Sequence, residues 1–365
     1  MKKSTTAYSL LFIIFISLTV GLFGFAKHLT IFYTVKYVLF TGAMVLLLML
    51  SVKNQITDSI STFFLSVFVL TVFVSTVTAE IVNYEGILLS VLYVLLLFVA
   101  IFVPSEQFKI KSNIIKSFKY VLSIAVLLSL PLLFTSNGYA GGRYTGLFLN
   151  ANSMGACSAI LATIIITTPA NEKSKFETFV LFSALISLIF TQSRTSCLSL
   201  IITICLYFFI KRCYKQIFYL LISVSLSLFV VFVLLYDVGD FSVRDIFEQT
   251  GRELYINTYI DKFLEAPLIG CGLSNDGLIG RLKTELAYFD ILTFSGLIGF
   301  LSLLIVLCRS VCWGIKNSQS NNRYDIYIYP VICILTMSIG EGFLSNVGNP
   351  LSIFIWFWFC VYLKA

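Results

Sequence analysis

Residues 217–236 read IFYLLISVSLSLFVVFVLLY, and residues 237–286 continue as DVGDFSVRDIFEQTGRELYINTYIDKFLEAPLIGCGLSNDGLIGRLKTEL. The first segment is an apolar run of 20 residues, which is the length that an α-helix needs to cross a bilayer. The second is long and polar, with basic and acidic side chains interspersed. Together they predict a membrane helix followed by one large aqueous loop.

The composition assigns the rest of the chain to the membrane as well. Of 365 residues, 58% are hydrophobic and only 12% are charged, whereas soluble domains are about 25% charged. A soluble core cannot bury this much apolar surface. Apolar runs recur along the sequence, so we predict an all-α integral membrane protein, a single polytopic domain over residues 1–365 with about 12 transmembrane helices.

The distribution of charge orients this bundle. With the N-terminus in the cytoplasm, sixteen Lys and Arg residues fall in cytoplasmic segments and eight in outer segments. This positive-inside bias predicts that both termini are cytoplasmic and that the loop at residues 237–286 is extracytoplasmic. Apolar residues recur at helical spacing from Ile246 to Leu264, which predicts an amphipathic helix lying over the mouth of the bundle.

Cysteine and histidine usage bears on metal chemistry. The nine cysteines lie mostly inside apolar runs, no CxxC motif is present, and His28 is the only histidine. A zinc or haem site needs a cluster of such ligands. We therefore expect no metal and no cofactor, and we expect membrane lipid but no nucleic acid among the partners.

Four arginines fall on the predicted outer face: Arg143, Arg194, Arg252 and Arg281. Arginine is a planar donor well suited to phosphate oxygens, so their convergence would hold a pyrophosphate. Each one alone is equally explained as an interfacial anchor or as the partner of a nearby acid. Arg194 stands out because it closes the short turn from Thr191, where a charge facing lipid would be costly.

Two carboxylates are candidates for chemistry. Glu285 directly precedes a predicted span, where partial burial would suit a general base; the alternative is a solvated carboxylate beside Lys283. Glu341 lies in the outer half of a span predicted over Tyr327–Leu344, so it is either functional or buried against an arginine. Asp290 is a weaker case of the same kind.

Four patches in order resemble the O-antigen polymerase and ligase superfamily. Residues 143–155 (RYTGLFLNANSMG) are similar to its R-x-x-G-x-F-x-N-P-N-x-x-G segment, with Ala151 in place of proline. Residues 193–195 (SRT) resemble its S-R-[ST] turn. Gly251-Arg252 with residues 267–272 (PLIGCG) resemble its large outer loop, and residues 285–299, ending GLIG, resemble its re-entry into the membrane.

One departure bears on the branch of the superfamily. The ligases have H-N-x-[YF]-L before the G-L-x-G sequence, but here Glu285 and Leu286 replace the first two residues, while Tyr288 matches. The resemblance therefore favours a Wzy-type repeat-unit polymerase of the bacterial inner membrane. A ligase of the same superfamily and a lipid-linked oligosaccharide flippase or other transporter remain alternatives.

The resemblance implies a reaction on undecaprenyl-pyrophosphate-linked oligosaccharides at the periplasmic face. Arg194 and Arg252, with help from Arg143, would stabilise the leaving pyrophosphate, and Glu285 would be the base. Asn152, Arg281, Tyr288 and Glu341 would contact substrate. A polysaccharide chain-length regulator is implied as a partner. Glycosyl transfer of this kind would be independent of metal.

Overall fold

The computed structural model describes residues 2–24, 30–50, 58–79, 82–103, 110–216, 253–273, 286–320 and 324–364. The α-helices are α1 (Lys2–Val20), α2 (Thr30–Met49), α3 (Ser59–Val77), α4 (Tyr84–Phe102), α5 (Ile110–Ser129), α6 (Ala151–Thr167), α7 (Lys175–Thr191), α8 (Arg194–Ile210), α9 (Glu253–Glu265), α10 (Ala287–Ser320), α11 (Asp325–Met337) and α12 (Pro350–Tyr362). A short hairpin pairs β1 (Tyr139–Ala140) with β2 (Arg143–Tyr144) between α5 and α6. The predicted all-α bundle is therefore present in the described part of the chain.

Four described helices have the length and apolar composition to cross a bilayer: Ser59–Val77, Tyr84–Phe102, Ser112–Phe134 and Ala287–Ser320. Six further apolar helices have 10–17 residues. A helix of 17 residues is about 25 Å long, slightly less than the hydrocarbon core of about 30 Å. About 12 spans therefore remains a prediction, and the run at residues 217–236 lies outside the described residues.

Helix α12 lies at the centre of the bundle. All its residues from Pro350 to Tyr362 are buried, and Phe354 stacks on Phe118 of α5 with ring centroids 4.5 Å apart. A helix that is apolar on all sides can face either lipid or other helices, and burial of the whole of α12 shows that here it is surrounded by other helices. The last helix of the chain is thus the core around which the others pack.

One end of the bundle is closed by ion pairs. Arg309 of α10 lies 3.0 Å from the carboxylate of Asp58, which caps α3, and Tyr362 of α12 donates a hydrogen bond to the same carboxylate. Burial alone would raise the pKa of Asp58, but hydrogen bonds from Tyr362, Ser61 and Arg309 outweigh it and hold the pKa well below its usual range. Lys211 and Asp325 pair at 2.9 Å where α8 ends and α11 begins.

The opposite end carries α9, and we call it the lid end. Tyr259 of α9 is buried against α10, with its ring 6.4 Å from that of Phe289. Ile260 and Leu264 of the same helix are exposed. The helix predicted within the polar loop is therefore present at Glu253–Glu265, while the part of that prediction before residue 253 lies outside the described residues.

Helix α10 is interrupted at Gly296, where the segment 266–273 enters the break. Four backbone hydrogen bonds join them: Leu297 N to Pro267 O (2.9 Å), Ile298 N to Leu268 O (3.1 Å), Cys271 N to Thr293 O (2.9 Å) and Gly272 N to Phe294 O (3.1 Å). Amides and carbonyls that the helix break leaves without helical partners are satisfied in this way, as a nonpolar environment requires. We call this arrangement the interlock.

Two glycines make the interlock possible. Gly296 has φ 63° and ψ −174°, a combination essentially restricted to glycine, and a Cβ there would lie 2.4 Å from the carbonyl oxygen of Leu268. A Cβ on Gly270 would lie 2.5 Å from the nitrogen of Gly296. The sequence P-L-I-G-C-G, which by composition predicts only a turn, is therefore a structural part of the membrane domain.

Hydrogen bonds also join the interlock to α3. Ser75 Oγ donates to the carbonyl of Phe294 at 2.9 Å, and the amide of Leu273 donates to Thr76 Oγ1 at 3.1 Å. The loop that follows α9 thus reaches a helix from the first quarter of the sequence. These contacts hold the end of the first half of α10, and the end of the segment 266–273, against α3.

Candidate functional site

Arg143 joins three segments at the lid end. Its Nε donates to the carbonyl of Thr191 at 2.9 Å, and its Nη2 donates to Asn152 Oδ1 at 2.6 Å. Thr191 ends α7, and Asn152 is buried in the first turn of α6. One half-buried guanidinium therefore connects β2, the start of α6 and the end of α7. This contact also brings Arg143 and Asn152 together, both of which are predicted to contact substrate.

The segment that carries Arg143 is held from both sides. Its far end caps α6, because the Asn150 side chain accepts the amide of Asn152 at 2.9 Å. The residues that follow α1 pair with it through Gly24 N to Leu147 O at 2.8 Å and Leu149 N to Leu22 O at 2.9 Å. Backbone hydrogen bonds and a helix cap thus fix the loop between α5 and α6.

The turn from Thr191 to Arg194 has the tight geometry predicted from the sequence. Gln192 adopts a left-handed conformation with φ 51°, Ser193 occupies the N-cap position, and α8 begins at Arg194. Gly155 of α6 lets the turn approach closely, since a Cβ there would lie 2.7 Å from the Cβ of Ser193. The side chain of Arg194 is exposed directly beside the segment that Arg143 anchors.

Glu341 lies in a loop, and the prediction of a span over Tyr327–Leu344 was wrong at its end. Helix α11 ends at Met337, and residues 338–349 form consecutive turns up to α12. Gly340 and Gly342 flank Glu341 and favour turns over helix. The carboxyl side chain is nevertheless only 4% exposed and accepts a hydrogen bond from Thr195 Oγ1 at 3.1 Å.

The loop of residues 338–349 also contacts α10 and α4. Ser345 Oγ donates to Asp290 Oδ2 at 2.8 Å, and Tyr259 Oη of α9 donates to Asp290 Oδ1 at 2.8 Å. Tyr93 of α4 donates its hydroxyl to the carbonyl of Ser345 at 2.9 Å. Asp290 therefore connects the lid helix to the loop that also contains Glu341.

The predicted site residues fall into three groups. Arg143, Asn152, Arg194 and Glu341 come together around the turn at Thr191–Arg194. Tyr288 is partly buried on α10, and its hydroxyl donates to the carbonyl of Leu335 on α11 at 3.0 Å, so this hydrogen bond connects it to α11 and not to the turn. The remaining three, Arg252, Arg281 and Glu285, lie outside the described residues.

The sequence did not predict that residues 338–349 form a loop between α11 and α12. Its glycines and asparagines, in SIGEGFLSNVGNP over residues 338–350, are a turn signal of ordinary strength. That signal was overridden by the apolar residues on both sides, which extend the hydrophobic runs of α11 and α12. Ser345 and Tyr259 carried no separate signal, because their importance arises only from contact with Asp290.

The chemistry of the site is that of charged donors and acceptors at a membrane boundary. Arg194 is an exposed cation, and Glu341 and Asp290 are carboxylates that accept hydrogen bonds from hydroxyl groups. Within the described ranges, no three His, Cys, Asp or Glu side chains lie close enough together to hold a metal ion. The donor set around Arg194 suits phosphate or sugar oxygens.

Residues 179–304 match the family described as O-antigen ligase. The match runs from α7 to the second half of α10 and includes the turn at Thr191–Arg194, α9 and the interlock. It covers about one third of the chain and excludes Arg143, Asn152 and Glu341. No curated protein matches this chain.

Proposed function

We propose, from the O-antigen polymerase and ligase superfamily that the match over residues 179–304 supports, that this chain polymerises lipid-linked oligosaccharide repeat units. Proteins of this superfamily are glycosyl-transferring enzymes of ligase or polymerase type. The reaction that we propose for this chain is a transfer of the growing glycan from undecaprenyl pyrophosphate to a new lipid-linked repeat unit at the extracytoplasmic side of the inner membrane.

The observation that carries the proposal is the setting of Arg194. It is an exposed guanidinium at the end of a membrane helix, beside a turn that Arg143 holds by a 2.9 Å hydrogen bond. A cation on a backbone turn at the membrane boundary suits a leaving group whose charge lies at the head of a lipid. Because Arg143 of β2 already holds this turn, the turn costs no reorganisation when the anion arrives.

The proposed reaction is a displacement at the anomeric carbon of the donor sugar. A hydroxyl of the acceptor sugar forms the new glycosidic C–O bond, and the bond from the anomeric carbon to the pyrophosphate oxygen breaks. The electron pair leaves with undecaprenyl pyrophosphate, whose negative charge Arg194 and Arg252 stabilise. The hydroxyl proton passes to Glu285, and Asn152, Arg281, Tyr288 and Glu341 complete the substrate-binding surface.

The contacts of Arg143 give it a supporting role in this proposal. Its Nε and Nη2 are engaged by Thr191 and Asn152, so it orients the turn that presents Arg194. Glu341 supports the same turn from the other side, through Thr195. Both residues therefore act on the position of Arg194.

The role of Glu285 as the general base is tested by replacing it with glutamine, the corresponding amide. The Glu285→Gln variant retains size and hydrogen-bonding capacity but cannot accept the proton, so we expect repeat-unit polymerisation to fall about 10²-fold or more. The measurement is the rate of chain extension by membranes that contain equal amounts of each protein. Glu265→Gln, on the exposed end of α9, is the matched control and should be active. Unimpaired extension by Glu285→Gln would remove this residue as the base.

The second candidate is a ligase that transfers finished glycan to another acceptor, because the matching family has that description. A strain without the protein separates the candidates in its surface glycan profile on a gel. Loss of long chains with a single repeat unit retained is the result expected of a polymerase. Loss of all glycan on the acceptor identifies a ligase, and repeat units that accumulate in the cytoplasmic leaflet identify a flippase.

A further inference from the structure

We infer that helix α9 and the turn after it are embedded in the bilayer leaflet at the lid end, where acyl chains cover their exposed apolar side chains. The lid is then anchored in the membrane and does not stand in the water above the bundle. Three features of the structure support this location: the continuity of the apolar surface with α10, the depth of the interlock, and the distribution of side chains around α9.

The exposed apolar side chains of the lid continue those of a membrane-spanning helix. Leu264 of α9 is 63% exposed, and Leu268 in the following turn is 60% exposed. The carbonyl of Leu268 accepts the amide of Ile298 at 3.1 Å, and the side chain of Ile298 is exposed on α10. Helix α10 has the length and composition to cross a bilayer, and its exposed apolar residues continue with Leu301, Leu304 and Ile305. One apolar surface therefore extends from α10 onto the lid.

The ion pair of Asp58 and Arg309 gives a reference for depth. A charge facing acyl chains is costly, and the Arg309 side chain in this pair is 44% exposed, so the pair marks the edge of the hydrocarbon core at the end opposite the lid. From Arg309 to Ile298, α10 rises about 17 Å. Because the core is about 30 Å thick, Leu268 beside Ile298 lies about 13 Å below the lid-end surface of the core.

Helix α3 gives an independent measure of the same depth. It begins at Ser59, next to Asp58 of the ion pair, and rises about 24 Å to Ser75. Ser75 binds the carbonyl of Phe294, so the contact between α3 and the interlock also lies inside a core about 30 Å thick. A tilt of either helix reduces the height above the ion pair and places these contacts deeper below the lid-end surface.

The side chains of α9 divide into three sides. Tyr259 is buried against the bundle. Ile260 and Leu264 are exposed and apolar, and at about 100° per residue they form a second side. Asp261 and Glu265 each follow one position later and are exposed, so they form a third, acidic side. A helix at a membrane boundary needs sides of these three kinds, which meet protein, acyl chains and water.

The charged side chains at the end of α9 are paired. Lys262 Nζ lies 2.7 Å from Glu265 Oε2. A pair of opposite charges is tolerated near acyl chains better than either charge alone, and a lysine side chain can extend its ammonium toward the head groups. The end of α9 can therefore descend toward the interlock beside lipid.

The test places the photoreactive residue p-benzoylphenylalanine in the full-length protein, in nanodiscs of phosphatidylethanolamine with a radiolabelled acyl chain. The measurement is the label that irradiation attaches to the protein. Replacement of Leu264 or Leu268 should give at least about fivefold more label than replacement of Asp261 on the acidic side. Leu301 on the outer surface of α10 is the positive control. Ile269, exposed next to Leu268, is the second position to use if a replacement at Leu268 does not fold.

The outcomes decide between acyl chains and other occupants. Label at Leu264 and Leu268 close to that at Leu301 supports the membrane-embedded lid. Label no higher than at Asp261 would overturn it, because these side chains would then face water. A cross-link to a second copy or to another segment of the same chain, in place of lipid, would also overturn it. The result is independent of the proposed function, since the measurement is contact with lipid and not synthesis of glycan.

Discussion

Arg194→Ala is expected to lower repeat-unit polymerisation by about 10²–10³-fold, the effect of removing one preorganised charge donor from a transition state. The residue is exposed and forms the first position of α8, so its loss leaves no buried cavity. The protein should therefore insert and accumulate normally. The measurement is the length distribution of glycan made in a deletion strain that expresses each variant at equal level.

Two further variants define what Arg194 contributes. Arg194→Lys keeps the positive charge but loses the planar fork that binds two oxygens at once, so an intermediate loss of about tenfold is expected. Arg212→Asn removes an exposed guanidinium from the other end of the same helix. Arg212 has φ 57°, which asparagine tolerates, and this variant should make glycan of normal length.

A normal ladder of long chains in Arg194→Ala would contradict the assignment of the leaving-group site. If Arg194→Ala and Arg212→Asn were equally impaired, the effect would belong to α8 as a whole and not to the turn. A loss restricted to Arg194, with Arg194→Lys between the extremes, is the pattern that phosphate recognition predicts.

The second large effect is expected at the interlock, where Gly296→Ala should prevent assembly of a stable protein. Alanine at this position must adopt a backbone conformation that it normally avoids. Its Cβ also overlaps the carbonyl oxygen of Leu268. Strain and overpacking together should cost roughly 2–6 kcal/mol, a large part of the 5–15 kcal/mol that typically separates folded from unfolded proteins. The amount of monodisperse protein extracted from membranes is the measurement.

Gly141→Ala is the matched control for backbone strain. Gly141 also has positive φ, at 56°, but a Cβ there would meet nothing within 4 Å. The free energy of unfolding of this variant should fall only by the cost of alanine in a left-handed conformation, about 1–2 kcal/mol. The protein should therefore still be extracted in good yield. Equal yields from Gly296→Ala and Gly141→Ala would mean that the close approach in the interlock contributes nothing to stability.

Local patterns in the sequence predicted the local parts of the fold. The apolar runs indicated the helices, the helical spacing in the polar loop indicated α9, and the short connection from Thr191 to Arg194 has the predicted form. These features depend on residues within a few positions of one another. The prediction for Glu341 failed because the apolar neighbours of residues 338–349 resemble a span, although the backbone there forms turns.

The assembly of the site could not be predicted, because its contacts join distant segments. Thr195 and Glu341 are 146 positions apart, and Ser75 and Phe294 are 219 apart. No periodicity in one sequence specifies such pairs. The motif glycines at positions 270 and 296 were visible as motif residues, but only the fold reveals that they meet each other.

The interlock also sets the order in which the protein can be completed during synthesis. Ser75 and Thr76 lie in α3, yet Ser75 binds the carbonyl of Phe294 and Thr76 binds the amide of Leu273. About two hundred residues must therefore emerge from the ribosome before this part of α3 finds its partners. Until then the hydroxyl groups of Ser75 and Thr76 can donate to the carbonyl of Val72 in their own helix. Helix α3 can therefore stay in the bilayer without an unsatisfied hydroxyl group at this position.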